Sequence, residues 1–505
     1  MNLIPTHRRT SPLCSLAFWA AGLIAAGMTF SASAWAQNIR AVYAQNCAAC
    51  HGANAEGGSA PSMLDDQWVT DGSDKALYDA IHYGLEDLGM PAYKGGLTEA
   101  QSWALVVYIR ELRNGGPREI TDPSVPDANG VYTTDHHRYR VEPVAGGLDR
   151  PWAIDFLPGG IVLVTERPGR LRLIVDGRLV KRPVAGTPEV WNRGQGGLLD
   201  VAVDPDYATA GSPGEGWVYL SYAEVTDDSR NRPRGNTAVV RGKLERRGGR
   251  WHWTDEQTLF TTTAQHASPA GVHFGSRFVF GDNHTLFFSI GDRGQQPRVQ
   301  ELAQPHGKVH RIHTDGSIPD DNPFAPGNPG AADHPDAMPS VWSLGHRNPQ
   351  GLAAHPVTGE LYDVEHGPRG GDEINLVRKG ENYGWPVVSY SINYNQTPRG
   401  DNPPWHEPMG FVEPLHYWIP SLGQCGSNFY VGDAFPAWKH DFFVAALAKQ
   451  EIRRVRFADD GVTVLEDEPI FRGLGRVRDV VTGPDGVLWV ATEQPGLIRR
   501  LVPVD

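Results

Sequence analysis

The chain has 505 residues, with 46 Lys and Arg against 59 Asp and Glu and a formal net charge of −13. That length allows two or three domains and a large buried core, and the absence of any basic stripe excludes the electrostatic footprint of a nucleic-acid binder. The 58 glycines, 40 prolines and 15 tryptophans suit many short strands joined by tight turns better than a helical bundle.

In chain order, a targeting segment comes first. His7, Arg8 and Arg9 form a basic start, an apolar run covers 16–30, and Ala34-Trp35-Ala36 fits a small-x-small cleavage site with Gln37 as the new N-terminus. A membrane anchor is the competing reading, but the run is short for a ~20-residue span. Residues 1–36 are therefore expected to be a cleaved signal peptide. No later stretch is long and apolar enough to cross a bilayer, so the mature chain is expected without a membrane span, periplasmic or secreted. Cleavage removes Cys14 and leaves Cys47, Cys50 and Cys425; Cys425, without a partner, is expected to be a buried free thiol.

Residues 47–51 read CAACH. Two cysteines three apart on one helical turn can each add to a vinyl group of one haem, and His51 then faces the iron from the same side. A zinc or redox site is the alternative, but no second Cys pair supplies further ligands. The sixth ligand has to come from a distant loop, and Met90 in GMPAY is expected, with Met63 as the fallback. Segments 75–83 and 98–112 read as amphipathic helices, the second opened by a capping box from Thr98 to Gln101. Residues 37–115 thus resemble the small soluble, all-α class of c-type cytochromes binding haem c.

Residues 114–129 are rich in Gly, Pro and Asp, which places the interdomain connection at 116–138. Beyond it one plan repeats: WAIDFLPGGIVLVTE, LLDVAVDPDYATAG…GWVYLSYA, SRFVFGDNHTLFFSIGD, PQGLAAHPVTGELYDVEH, SNFYVGDAFPAWKHDFFVAAL and VRDVVTGPDGVLWVATE. Each is an alternating apolar strand, a turn, and a second apolar strand ending in polar residues. Six such hairpins at about 60 residues per unit predict an all-β six-bladed propeller over 139–505, with surplus residues in loops such as 314–339 and 389–414. A β-sandwich would not explain the recurrence.

The runs GQGGLLDVAVDPDY, HFGSRFVFG, SIGDRG, LGHRNPQGL, EHGPRGGDEINLVRKGENYGWP and RVRDVVTGPDG together resemble the glucose/sorbosone dehydrogenase family that depends on pyrroloquinoline quinone (PQQ), and its aldose sugar dehydrogenase branch in particular. The resemblance implies hydride transfer from a sugar carbinol to PQQ, with His273 as the base and Arg347 and Asn348 at the quinone oxygen. It implies that Arg476 and Arg478 hold the cofactor's carboxylates and that Gln195 lies at the substrate and quinone edge. Lys449 sits where a further cationic contact is expected, with the local spacing off by one. Gly367 and Pro368 match backbone ligands of a Ca²⁺ that bridges the cofactor, and Glu373 and Tyr383 match a second calcium site. Val272 stands where glucose-oxidising members have Asp, and Arg293 where they have Gln; both are expected at the sugar pocket, against strict glucose specificity.

A quinone that collects two electrons beside a haem that takes one at a time implies an internal relay, drained by a soluble cytochrome or copper protein. The alternatives from other classes are a calcium-dependent propeller lactonase or esterase, and a haem-linked propeller that only binds ligands.

Overall fold

The computed structural model describes residues 38–65, 67–114, 125–228, 232–400 and 404–504; the expected signal peptide and Cys14 lie outside them. The N-terminal helices are α1 (Ile39–Asn46), α2 (Ala48–His51), α3 (Asp74–Tyr83) and α4 (Glu99–Asn114). The capping box forms as expected: Gln101 N–H donates to Thr98 Oγ1 (3.1 Å) and Thr98 N–H to Gln101 Oε1 (2.9 Å). One feature of α4 departs from the amphipathic reading. Ten consecutive residues, from Ala100 to Ile109, are buried, so the helix is covered on every side.

The rest is a ring of six antiparallel sheets. Their first two strands are the six repeated hairpins: Pro151–Leu157 with Ile161–Glu166, Leu198–Val203 with Trp217–Asp227, Phe278–Gly281 with Thr285–Ile290, Pro349–Ala354 with Leu361–Glu365, Gln424–Phe429 with Phe442–Ala446, and Val477–Thr482 with Leu488–Glu493. We number these blades one to six. Blade six is closed by both ends of the propeller chain: Arg138–Gly146 pairs with Gly496–Pro503, and Val131–Thr133, within the stretch read as a connection, adds a fifth strand.

Hydroxyls and carboxylates stitch neighbouring blades together. In blades one, two, four, five and six, the pairing of the first two strands slips by a bulge near its start. The amide N–H freed in blade one, on Ala153, goes to Thr165 Oγ1 (3.0 Å), which donates onward to Leu199 O of blade two (2.5 Å). Ser221 does the same from Asp200 N to Ser276 O (2.9 and 2.8 Å), and Ser289 from Ser276 N to Pro349 O (3.0 and 2.7 Å). Side-chain carboxylates reach across as well: Asp200 accepts Phe278 N–H (2.7 Å) and Asp479 accepts Ile154 N–H (2.9 Å), while Arg277 pairs with both (2.9 and 3.2 Å). Cys425 is a buried free thiol, with Sγ 3.2 Å from Val477 O.

Asp479→Ala leaves Ile154 N–H without its acceptor and Arg277 with one carboxylate instead of two. Breaking a buried pair costs ~3–5 kcal/mol, and the surviving Asp200 contact puts the expected loss at the lower end; denaturant unfolding of the variant measures it.

Candidate active site at the propeller mouth

Because the first two strands of a blade are antiparallel, the start of the first and the end of the second lie at the same end of the ring. The sequence-expected residues occupy those positions. Gln195, His273, Arg347 and Arg476 precede first strands, and Gly367, Pro368 and Lys449 follow second strands. The fold brings them to one mouth.

His273 adopts positive φ (54°), uncommon for a residue with a side chain and frequent at functional sites. Its Nδ1 lies 2.6 Å from Asp292 Oδ1, and Asp292 Oδ2 accepts the Trp385 indole N–H (2.9 Å). An ionised carboxylate only accepts, so Nδ1 carries the proton and Nε2 is left as the basic nitrogen. Burial pulls the His273 pKa below its ordinary value; the Asp292 hydrogen bond opposes this and the Arg347 charge adds to it. Burial works against the Asp292 carboxylate, yet its contacts with His273, the Arg347 charge and the Gly294 N–H together hold its pKa below the usual range. The imidazole is therefore neutral near pH 7, as a base requires. Gln195 Oε1 accepts His273 N–H (2.7 Å) and fixes the loop.

Opposite stands Arg347. Its Nη1 donates to His366 O (2.8 Å) and Nη2 to Tyr394 Oη (3.2 Å), while its buried Nε has no partner. One carboxylate organises this turn: Glu365 accepts Arg347 N–H (2.5 Å), Asn348 N–H (3.3 Å) and Asn375 Nδ2 (3.2 Å). Asn348 Oδ1 accepts Gly275 N–H (3.2 Å), tying it to the segment that carries His273.

A cationic arc completes the mouth. Arg478 is buried and donates to Glu493 Oε1 (2.9 and 2.5 Å) and Gln350 (2.7 Å), and the half-exposed Arg476 lies 3.4 Å from Glu493 Oε2. Sequence reasoning missed Arg167, which follows the second strand of blade one and approaches Glu493 to 4.0 Å. Burial, reinforced by Arg478, pulls it down to about 10, and its Nε is buried without a partner. Three guanidinium groups thus share one carboxylate, an arrangement that fits a planar polyanion. Lys449 lies one blade round, its N–H on Leu422 O (3.2 Å).

Beside Arg347 a cavity of about 10 Å³ is lined by Gly367, Glu373, Tyr383 and His406, room for one water or ion. Gly367 admits nothing larger, since a Cβ there would lie 2.1 Å from Gly370 O; Pro368, next to it, is buried. Burial, then Glu365 and Asp363, push Glu373 well above the usual carboxyl range. Asp363 Oδ1 and Asn375 Oδ1 are buried without a hydrogen bond. His346 lies 3.1 Å from Asp363 and 3.2 Å from Glu365; burial opposes its charge, but Asp363 and Glu365 raise it to about 9. Asp363, Glu365 and Glu373 crowded around one imidazolium drive Glu373 toward its neutral form, and a cluster of carboxyls in this state suits a hard divalent cation bound through oxygen. The Tyr383 hydroxyl donates to Leu376 O (2.5 Å) and accepts Arg378 N–H (2.8 Å), so ligation by this residue would use its main-chain oxygen.

Arg293 departs from expectation. It is fully buried, its guanidinium 3.4 Å from the Phe274 ring centroid, and it donates to Val272 O and to Gly235 O (3.2 Å). It braces the His273 loop from beneath instead of lining a sugar pocket.

In the helical domain an apolar cavity is lined by His51, Met63, Trp68, Met90 and Ile109. His51 Nδ1 is 3.3 Å from Pro61 O, which leaves Nε2 for a metal. Both candidate thioethers are on the wall.

Fold and mouth together define a propeller-type oxidoreductase carrying a cytochrome c domain. Residues 148–500 match the family model described as Glucose / Sorbosone dehydrogenase, and residues 34–109 match that of cbb3-type cytochrome c oxidase subunit III. The chain belongs to the glucose/sorbosone dehydrogenase family. It is similar to aldose sugar dehydrogenase YliI of Escherichia coli (strain K12), with 39% identity over 368 residues, 72% of this chain and 92% of that protein. Quinoprotein glucose dehydrogenase B of Acinetobacter calcoaceticus is 29% identical over 437 residues, 71% of this chain and 86% of that protein. Among solved structures, the soluble aldose sugar dehydrogenase from Escherichia coli in its apo form has a TM-score of 0.64 at 38% identity, covering 72% of this chain and all of that one (100%). The PQQ-bound aldose sugar dehydrogenase of Streptomyces coelicolor has 0.56 at 26% identity, covering 72% of this chain and 98% of that one.

Asp292→Asn is expected to lower kcat by ~10²–10⁴-fold, because an amide no longer fixes the tautomer that leaves Nε2 basic. Asp292 raises the His273 pKa, so the residual activity should keep its acid limb at lower pH than in the parent; kcat/KM profiles from pH 4 to 8 measure the shift.

Proposed function

We propose that the chain is an exported, PQQ-dependent aldose dehydrogenase that passes its electrons to its own haem c. The observation that carries this reading is the neutral imidazole of His273 held by the ionised Asp292 beside Arg347, with Arg167, Arg476 and Arg478 gathered on one carboxylate. PQQ, when bound, supplies a quinone carbonyl that accepts hydride.

The chain supplies the rest. His273 Nε2 takes the proton of the substrate hydroxyl as the carbinol hydrogen departs, and Asp292 stabilises the imidazolium that results. The Arg347 guanidinium offers N–H donors to negative charge developing on an oxygen of the acceptor. Arg476, Arg478 and Arg167 would hold carboxylates, with Asn348 beside Arg347 at the quinone oxygen and Lys449 as a further cation. Gly367 and Pro368 would offer main-chain oxygens to Ca²⁺ at the cofactor, and Glu373 and Tyr383 would bind a second Ca²⁺. In the helical domain Cys47 and Cys50 would carry the haem, with His51 and Met90 on its iron. A hydrolase would have no use for this arc of arginines, nor would a ligand-binding propeller for a positioned base.

Two measurements test the reading. Protein loaded with PQQ and Ca²⁺ and mixed with a panel of aldoses should reduce an added dye and should also reduce its own haem band; a chain that oxidises no aldose under these conditions refutes it. Chelation of Ca²⁺ should lower the Tm of the parent, because a ligand held only by the folded state stabilises it, and Glu373→Gln should show a smaller Ca²⁺-dependent Tm shift.

A further inference from the structure

We propose that α4 is a shared wall between the haem cavity and the propeller mouth, and that electrons cross it where Trp103 meets Tyr390. The inference rests on the dehydrogenase reading above and adds the route.

The wall is one helix thick. Ile109 lines the haem cavity. Val107, about 200° round the helix at 3.6 residues per turn, faces the loop that carries Gly367 and Pro368: a Cβ on Gly370 would meet Val107 Cγ1 at 3.4 Å. A helix with its side chains is ~10–12 Å across, which sets the thickness of the wall at this point. Trp103 Nε1 donates to Tyr390 O (3.0 Å), with ring centroids 5.6 Å apart. Tyr390 in turn stacks on His406 (5.3 Å, 17°), which lines the cavity beside Arg347. An unbroken run of packed rings therefore leads from the mouth into the cytochrome core.

The junction is held from several directions. Arg369, two residues after Gly367, makes a bidentate ion pair with Glu111 of α4 (2.7 and 2.9 Å). Ile39 N–H donates to Gln396 O (2.8 Å) and Asn38 Nδ2 to Asn395 O (3.1 Å), which anchors the loop whose Tyr394 meets Arg347. Asn114 Nδ2 reaches Ile419 O (3.4 Å). Oxidation of one carbinol releases two electrons and two protons. Two crossings, one electron each to ferric haem, balance it, with an external one-electron acceptor of the soluble cytochrome or copper-protein class reoxidising the haem between them.

Glu111→Arg tests the wall at an ion pair to which no contact with substrate, PQQ, haem or Ca²⁺ is assigned. In full-length protein loaded with PQQ and Ca²⁺, it places two cations against each other. Substrate-driven haem reduction is then expected to slow by about 10- to 100-fold as the fixed effective concentration is lost, while dye reduction is retained. Small-angle scattering should show a larger maximum dimension, and combining the change with Arg369→Glu should restore both haem reduction and compactness. Unchanged haem reduction and dimension in Glu111→Arg, or a loss that the reciprocal pair does not repair, overturns the proposal. A parent that reduces neither dye nor haem refutes the dehydrogenase reading and the route with it, whereas dye reduction without haem reduction in the parent refutes the route alone.

Discussion

Closure of the ring is the constraint on which everything at the mouth depends. Blade six takes its first three strands from the end of the chain and its outer two from Arg138–Gly146 and Val131–Thr133. Gly496–Pro503 pairs with Arg138–Gly146, and the first strand of blade six lies beside that of blade one, with Asp479 on Ile154 N–H. His273, on the approach to blade three, and the arginines of blades six and one then face each other across a fixed axis. No local segment could set that distance. The bulges and the hydroxyl bridges serve the same end: a flat ladder would satisfy its own N–H groups, whereas the bulged starts of blades one and two hand a donor to Thr165 and Ser221 and so link blade one to two and two to three.

Electrostatics divides the mouth into two opposite halves. On one side Arg167, Arg476 and Arg478 outnumber the single Glu493; on the other Asp363, Glu365 and Glu373 outnumber His346. Each half is costly by itself, because buried charge of one sign is poorly solvated. The positive half suits an anionic cofactor and the negative half a divalent cation, and Glu365 sits between them with its oxygens committed to Arg347, Asn348 and Asn375. Binding at either half therefore bears on the turn that presents Arg347.

The repeated hairpins were legible because a half-buried strand pair imposes period-two alternation wherever it occurs, and CAACH was legible because thioether attachment needs that spacing. The site was legible only in part. His273 stood out within its run, but Asp292, which decides its tautomer, is nineteen residues away in a turn whose Asp is indistinguishable from ordinary turn chemistry. Arg167 follows a strand in ERPGR as any exposed loop arginine would, and only the ring brings it to Glu493. Arg293 misled for the converse reason: a charged residue at a pocket position is expected to face the pocket, whereas here a phenyl ring and two carbonyls bury it. The unbroken apolar stretch around Trp103 did carry a signal. A helix apolar on all faces in a soluble domain has neighbours on all sides.

Those neighbours come from the long loop of blade four, which looks superfluous on a count of strands. It holds His406 beside the mouth, Tyr390 and Ile392 within the cytochrome core, and Trp405 packed on the same cluster, with Tyr417 of the strand that follows it. Domains joined by a linker move relative to one another unless a sizeable apolar interface prevents it. Here the core of the smaller domain is completed by residues of the larger, so separating them would expose Trp103 and Tyr390 together and leave the Trp103 N–H without its acceptor. The same loop thus finishes the mouth and seats the cytochrome, and an arrangement that fixes one fixes the other.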